Sequence, residues 1–312
     1  MRFHSVQDTA FSDIPLKEVD VVIFCSGFES RCTHVPENTF DKLNPDASIL
    51  ILGFDDHNQL SSRKKSDQFY NGKYKTSQSL LSGDEYDGIF PLLNEKLKIK
   101  KKKNVSVLLD YTSMTRQWYA AILSWCKFQQ QFEEVTLFTT YSVGKYIKKS
   151  EPMVIHEITS LPGFSGSTLA RESSTLIFGL GFEGAASLCA IERLEPSVVY
   201  TFIANPAAYP EAYKRSIEVN EPIISHLAQA NLEFSLFSVE DTFRGLSELL
   251  IAQPNNANIT VVPMGPKPHI LATLLLGLRY PQLTCIRVSG RGKKGENVKA
   301  EGRIVTTKII FQ

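Results

Sequence analysis

The chain has no Cys-x-x-Cys pair, no Gly-Lys-Ser or Gly-Lys-Thr loop, and no marked excess of charge of either sign. Its five cysteines, an odd number scattered through apolar segments, argue against a disulfide framework or a zinc ribbon and fit a reduced compartment. Lacking the lysine-bearing loop, it is not read as a P-loop NTPase. Gly179-x-Gly181 has no third glycine, so it is not read as a dinucleotide fingerprint, and no cofactor is expected. The six histidines show no metal-ligand spacing, with His57, His156 and His226 reading as ordinary surface or core residues, so no metal is expected. A formal charge of +1 disfavours nucleic acid as the main partner. No apolar run approaches the roughly 18 residues of a membrane span. The opening Met1-Arg2-Phe3-His4-Ser5 has neither the apolar core nor the cleavage site of a secretion signal. A cytoplasmic protein without a membrane partner is expected.

What the chain does have is a repeat. Val21-Val22-Ile23-Phe24-Cys25-Ser26 runs into Gly27-Phe28-Glu29, and Thr175-Leu176-Ile177-Phe178-Gly179-Leu180 runs into Gly181-Phe182-Glu183. A second pair follows the same beat: Val105–Leu109 leads into Asp110, and Ile259–Val262 leads into Pro263. Gly27 and Asp110 are 83 residues apart, and Gly181 and Pro263 are 82 apart. Landmarks that recur with so similar a separation point to one fold used twice. With 312 residues, 43% of them hydrophobic, each half has enough apolar side chains for a core of its own.

Local patterning supports alternating strands and helices. In the first half, strands are expected at 19–25, 48–54, 105–109 and 135–140, and helices at 86–98 and 115–132. Residues 55–85 read as polar loop, and the lysine-rich stretch 96–103 as a solvated helix end. In the second half, strands are expected at 175–179, 198–203, 232–238 and 259–262, with helices at 184–194, 210–230, 241–251 and 268–279. Leu283–Val288 and Ile304–Phe311 read as a terminal antiparallel hairpin around a glycine-rich basic loop, 289–303. The fold class predicted is α/β: two tandem Rossmann-like, doubly wound, mostly parallel sheets related by internal duplication. The expected division is 1–150, a connector at 151–167 around Pro162-Gly163, and 168–312.

Ligands of open α/β sheets collect at the carboxyl ends of the strands, where the strand order switches. Both landmarks belong there. Thr112 or Ser113 can cap the following helix and leave backbone N–H groups for an anion, with Thr115 a further ligand candidate, and Arg116 adds a bidentate donor. In the second half Gly265 permits close backbone approach, Lys267 adds charge, and His269 can donate or accept. Glu29 and Glu183 recur in register, as ligands for hydroxyls, as partners of Arg31 or Arg116, or as caps. Asp110 ends a buried strand, where a carboxylate is costly unless paired or used; it either serves a ligand or bonds the backbone N–H groups of its own turn. Cys25 and Cys32 flank the first strand end without a histidine motif, which makes a thiol nucleophile a minor option.

The stretch Val262-Pro263-Met264-Gly265-Pro266-Lys267-Pro268-His269 resembles the Gly-x-Lys-x turn of CARF domains, Rossmann-like sensors of cyclic oligonucleotides in prokaryotic antiviral systems. The duplication is similar to the SAVED module, in which two such units are fused. The resemblance implies a sensor of a nucleotide or other phosphate-bearing ligand, bound at strand carboxyl ends between the two halves: a stand-alone sensor, a ligand-degrading relative, or a subunit acting with a separate effector protein. Two alternatives stand beside it. One is a nucleotide- or phosphodiester-processing enzyme using Asp110 or His269 as acid/base. The other is a structural interaction subunit.

Overall fold

A computed structural model of the chain describes residues 1–56, 60–74, 76–97, 102–148, 152–166, 173–254, 257–291 and 297–312. Its contacts divide it into two compact units, Met1–Lys145 with Gly295–Gln312, and Tyr146–Lys294. Each contains one mostly parallel sheet, so the α/β class and the doubling of the fold are both present.

The first unit has a seven-stranded sheet. Its strands are β1 (Phe3–Asp8), β2 (Val21–Ser26), β3 (Ser48–Phe54), β4 (Ser79–Leu81), β5 (Asn104–Asp110), β6 (Glu134–Gly144) and β13 (Ala300–Phe311), in the order β1-β13-β6-β5-β2-β3-β4. Every residue of β2 is buried, as expected of a central parallel strand covered on both faces. Helices α1 (His34–Thr39), α2 (Ser61–Tyr74), α3 (Ile89–Leu97) and α4 (Arg116–Phe128) accompany it. In α4 the residues from Gln117 to Cys126 are all buried. Its two indoles still find partners: Trp118 Nε1 donates to the Glu85 carbonyl at 2.8 Å, and Trp125 Nε1 to Asn94 Oδ1 at 2.8 Å.

The second unit has six strands, β7 (Val154–Ser165), β8 (Ser173–Gly179), β9 (Val198–Ala204), β10 (Ala230–Phe234), β11 (Ala257–Pro263) and β12 (Thr284–Arg291). They are ordered β10-β9-β8-β11-β12-β7. Helices α5 (Gly184–Leu194), α6 (Pro210–His226), α7 (Val239–Ile251) and α8 (Lys267–Arg279) pack on it. The repeated apolar runs occupy equivalent places. β2 lies between parallel β3 and β5, and β8 lies between parallel β9 and β11.

Three expectations are corrected. Residues 55–85 are not simply loop, because α2 and β4 lie within them. The buried stripe of α2 is Arg63, Ser66, Tyr70 and Tyr74, a helical spacing made of polar and amphipathic side chains that a count of apolar residues misses. The connector expected at 151–167 contains β7, an edge strand antiparallel to β12. The terminal hairpin does not form. β12 stays in the second sheet, whereas β13 returns to the first and pairs antiparallel with β6 and β1. The first unit is therefore discontinuous in sequence: the chain leaves it after Lys145 and returns to it at Gly295. Parts of the basic loop 289–303 and of the lysine-rich stretch 96–103 lie outside the described residues.

Candidate functional site at the strand carboxyl ends

In the first sheet the chain moves from β2 outward through β3 and β4 on one side, and from β5 to β6 on the other. The order therefore switches between β2 and β5, whose carboxyl ends carry Gly27 and Asp110-Tyr111-Thr112-Ser113. The two turns touch. A Cβ placed on Gly27 would lie 2.7 Å from Ser113 Cβ and 3.1 Å from its Oγ. No larger residue fits. Ser113 Oγ is buried and has no hydrogen-bond partner among the described residues. The cap of α4 is Thr115, which accepts the Trp118 N–H at 3.4 Å, and not Thr112 or Ser113 as expected, because the Thr112 hydroxyl is engaged by Asp110; Arg116, half-buried, is the first helical residue.

Asp110 is 2% exposed, and its Oδ1 accepts both the N–H of Thr112, at 3.1 Å, and the Thr112 hydroxyl. Thr112 Oγ1 in turn accepts the Ser142 N–H at 2.8 Å. Asp110 and Thr112 thus form a buried link from β5 to β6. The carboxylate is engaged by its own turn, the plainer of the two roles its position allowed.

Arg31 is also turned inward. Its Nε donates to Glu29 Oε2 at 2.7 Å, and its Nη1 donates to Tyr141 Oη at 2.9 Å and to the Ser142 carbonyl at 3.1 Å. Burial opposes its charge, yet Tyr141 and Glu29 hold its pKa above the ordinary arginine value. Glu29 and Arg31 therefore pair with each other and tie the turn after β2 to β6. Cys32, fully buried beneath this turn, donates to Ser66 Oγ at 3.1 Å, and desolvation pushes its thiol up to about 11. It carries no thiolate at neutral pH, which removes it as a nucleophile.

The second unit repeats the switch point with other parts. The order reverses between β8 and β11. A Cβ on Gly181 would lie 2.6 Å from the Met264 carbonyl oxygen, and one on Gly265 would lie 3.0 Å from the Leu180 oxygen. Backbone meets backbone here, as side chain meets backbone at Gly27. Lys267 is half-buried and opens α8, with Pro268 behind it. Glu183 immediately precedes α5, and its Oε2 accepts the Met153 N–H at 3.1 Å.

His269 does not face this edge. It is 1% exposed, packs against Phe202 and Phe234 at ring-centroid distances of 5.8 and 6.5 Å, and places Nε2 3.2 Å from the Ser235 carbonyl. Burial lowers its pKa from 6.5 to about 4, so the ring is neutral at physiological pH. The expectation that it meets a ligand gives way to a core role, because the second residue past Lys267 on α8 points into the sheet. A pH dependence follows. Between pH 6.5 and about 4 the unfolded chain takes up a proton that the folded chain refuses. The contribution is therefore full above pH 6.5 and falls by about 3 kcal/mol as pH drops to 4. In denaturant titrations at pH 7 and 4.5, His269→Gln should lose much less stability over that interval than the parent. An identical loss in both proteins would contradict the assignment.

The sequence matches no known family model and no curated protein. Among the described residues no cluster of three His, Cys, Asp or Glu could hold a metal ion, and no helix is long and apolar enough to cross a membrane.

Beside the turn after β2 lies a pocket of about 340 Å³, walled by that turn, by the first turns of α2 and by Asn297 and Lys299. Asn297 and Lys299 belong to the basic loop 289–303 read from the sequence; none of the other lining residues was singled out. The one available signal was the run Ser61-Ser62-Arg63-Lys64-Lys65-Ser66, hydroxyls and cations following a strand.

Proposed function

We propose that this protein binds a nucleotide or another phosphate-bearing small molecule at the carboxyl edges of its sheets. The observation that carries this reading is one arrangement built twice from different residues. At each switch point a glycine with no room for a Cβ faces the turn that opens a helix, and a cation stands first in that helix: Arg116 in α4 and Lys267 in α8. Helix N-termini offer N–H groups and a positive dipole end to anions, and a first-turn cation reinforces both. A sensing role of the CARF and SAVED kind, exercised through a separate effector, fits this reading.

Binding is preferred to turnover because of the acid/base candidates themselves. Asp110 is engaged by Thr112, and His269 is buried and neutral. In the binding reading, loss of a charge-assisted phosphate contact costs about 1.5–3 kcal/mol. Arg116→Ala or Lys267→Ala should therefore weaken affinity at least tenfold in calorimetry against mono-, di- and cyclic nucleotides. Unchanged affinity in both variants would remove the site. Product formation that Asp110→Asn abolishes, with binding retained, would replace the sensor by an enzyme.

A further inference from the structure

The pocket beside β2 shares no residue with the crevices above, and its chemistry is specific enough to name a ligand class. It lies where three segments of the first unit meet. The short turn Ser30–Thr33 follows β2, α2 contributes its first two turns, and residues 297–299 arrive from the far end of the chain. The walls are fixed to one another. Ser30 N–H donates to Asn297 Oδ1 at 2.7 Å, and Arg31 N–H donates to the Val298 carbonyl at 3.2 Å. On the α2 side, Ser66 is buried, donates to the Ser62 carbonyl at 3.1 Å, and accepts from Cys32. This is a preformed concavity, as small-molecule sites usually are.

Its charge and its uncommitted donors point the same way. Lys65 and Lys299 line it and have no ion-pair partner among the described residues. Glu37, a carboxylate in the lining, accepts the Thr33 hydroxyl at 2.8 Å. The side-chain hydroxyls of Ser61 and Ser62 line the pocket and make no hydrogen bond among the described residues. The first-turn N–H groups of α2 have no carbonyl inside the helix to bond. Two lysines without ion-pair partners among the described residues, two serines and the first turns of α2 therefore line one cavity, with Phe69 supplying an apolar patch. At about 340 Å³ the cavity is near the lower end of ligand pockets, which run from about 300 to 1,000 Å³. That size accommodates a sugar phosphate, whose charge and hydroxyls are the groups this lining can bond.

We propose that this pocket binds the sugar-phosphate group of a small phosphate ester, with Lys65 and Lys299 on the phosphate and Ser61 and Ser62 on phosphate or hydroxyl oxygens. The test is calorimetry of the full chain with ribose 5-phosphate, AMP, inorganic phosphate and adenosine. Ribose 5-phosphate and AMP should bind with similar affinity, phosphate more weakly and adenosine not at all. Lys65→Ala and Lys299→Ala should each weaken ribose 5-phosphate at least tenfold, and Lys65→Arg should restore most of it. Lys64→Ala, a neighbouring exposed lysine outside the lining, should change nothing. Absence of binding by both esters would overturn the proposal, as would an affinity that neither lysine variant alters. If AMP binding responds to Arg116→Ala but to neither lysine variant, the pocket assignment falls and the switch-point reading stands. If only the lysine variants matter, the switch-point reading falls and the pocket stands.

Discussion

A chain that ends at Lys294 should lose the folded first unit while the second keeps its own structure. β13 is an interior strand, paired along its length with β6 on one side and with β1 on the other. β1 has no other strand partner among the described residues, so it detaches with β13. Val305, Ile309 and Phe311 of β13 are each under 5% exposed, and burial of such side chains contributes about 1.5–3 kcal/mol apiece. These three alone approach the total stability of about 5–15 kcal/mol typical of a domain. Truncation would also expose the long edge of β6 and remove the contacts of Asn297 and Val298 with the turn after β2. In amide correlation spectra, resonances of 1–145 should collapse to unfolded positions while those of 146–291 remain dispersed. Native dispersion across the first unit would contradict the discontinuous fold.

Arg31→Ala should be the most damaging single substitution at the first strand edge, at about 3 kcal/mol. The guanidinium is largely buried and joins three groups from two segments, Glu29 after β2 and Tyr141 and Ser142 in β6. Removing one member of a buried pair strands the other, which costs more than the pair contributes. The Glu29 side chain is 20% exposed, so water relieves part of that penalty and the figure sits at the lower end of the usual 3–5 kcal/mol. Arg31→Lys should rescue little, because one ammonium cannot reproduce a fork that serves Nε and Nη1 partners at once. Urea denaturation measures both variants. A loss below about 1 kcal/mol for Arg31→Ala would show that the network is not a structural tie.

The fold was most legible where a strand is covered on both faces. Such strands must be continuous apolar runs, which is why the segments ending at Ser26 and Gly179 stood out and why their following turns marked the switch points. α2 escaped because its buried face is Arg63, Ser66, Tyr70 and Tyr74, with Arg63 satisfied by Asp67 and the Phe54 carbonyl. Hydrophobic periodicity does not register a stripe of that kind. β7 escaped because Pro162 and Gly163 read as a turn, whereas an edge strand tolerates both. The destination of β13 is a long-range choice. Two neighbouring apolar runs resemble a hairpin locally, and nothing within them says that one belongs to another sheet.

The candidate residues divide along the same line. Type and spacing put Gly27, Ser113, Thr115, Arg116, Gly265 and Lys267 at the two strand edges, where the backbone geometry gives each a reason. The sequence offered a Glu29–Arg31 pair and an Asp110 bonded to its own turn only as alternatives to ligand roles, and it did not place His269 in the core. Those outcomes depend on which neighbours the folded chain supplies. The pocket itself was invisible for a simpler reason: Asn297, in the basic loop, meets Ser30 across 267 residues.

The most direct test of the binding account is an amide chemical-shift titration of the full chain with a mononucleotide. The account predicts perturbations concentrated at the strand carboxyl edges, at residues 27–33, 61–66 and 112–116 in the first unit and at 181–183 and 265–267 in the second. Perturbations centred elsewhere, for example on the exposed Leu80, Phe128 or Ile251, or no perturbation at millimolar ligand, would contradict it.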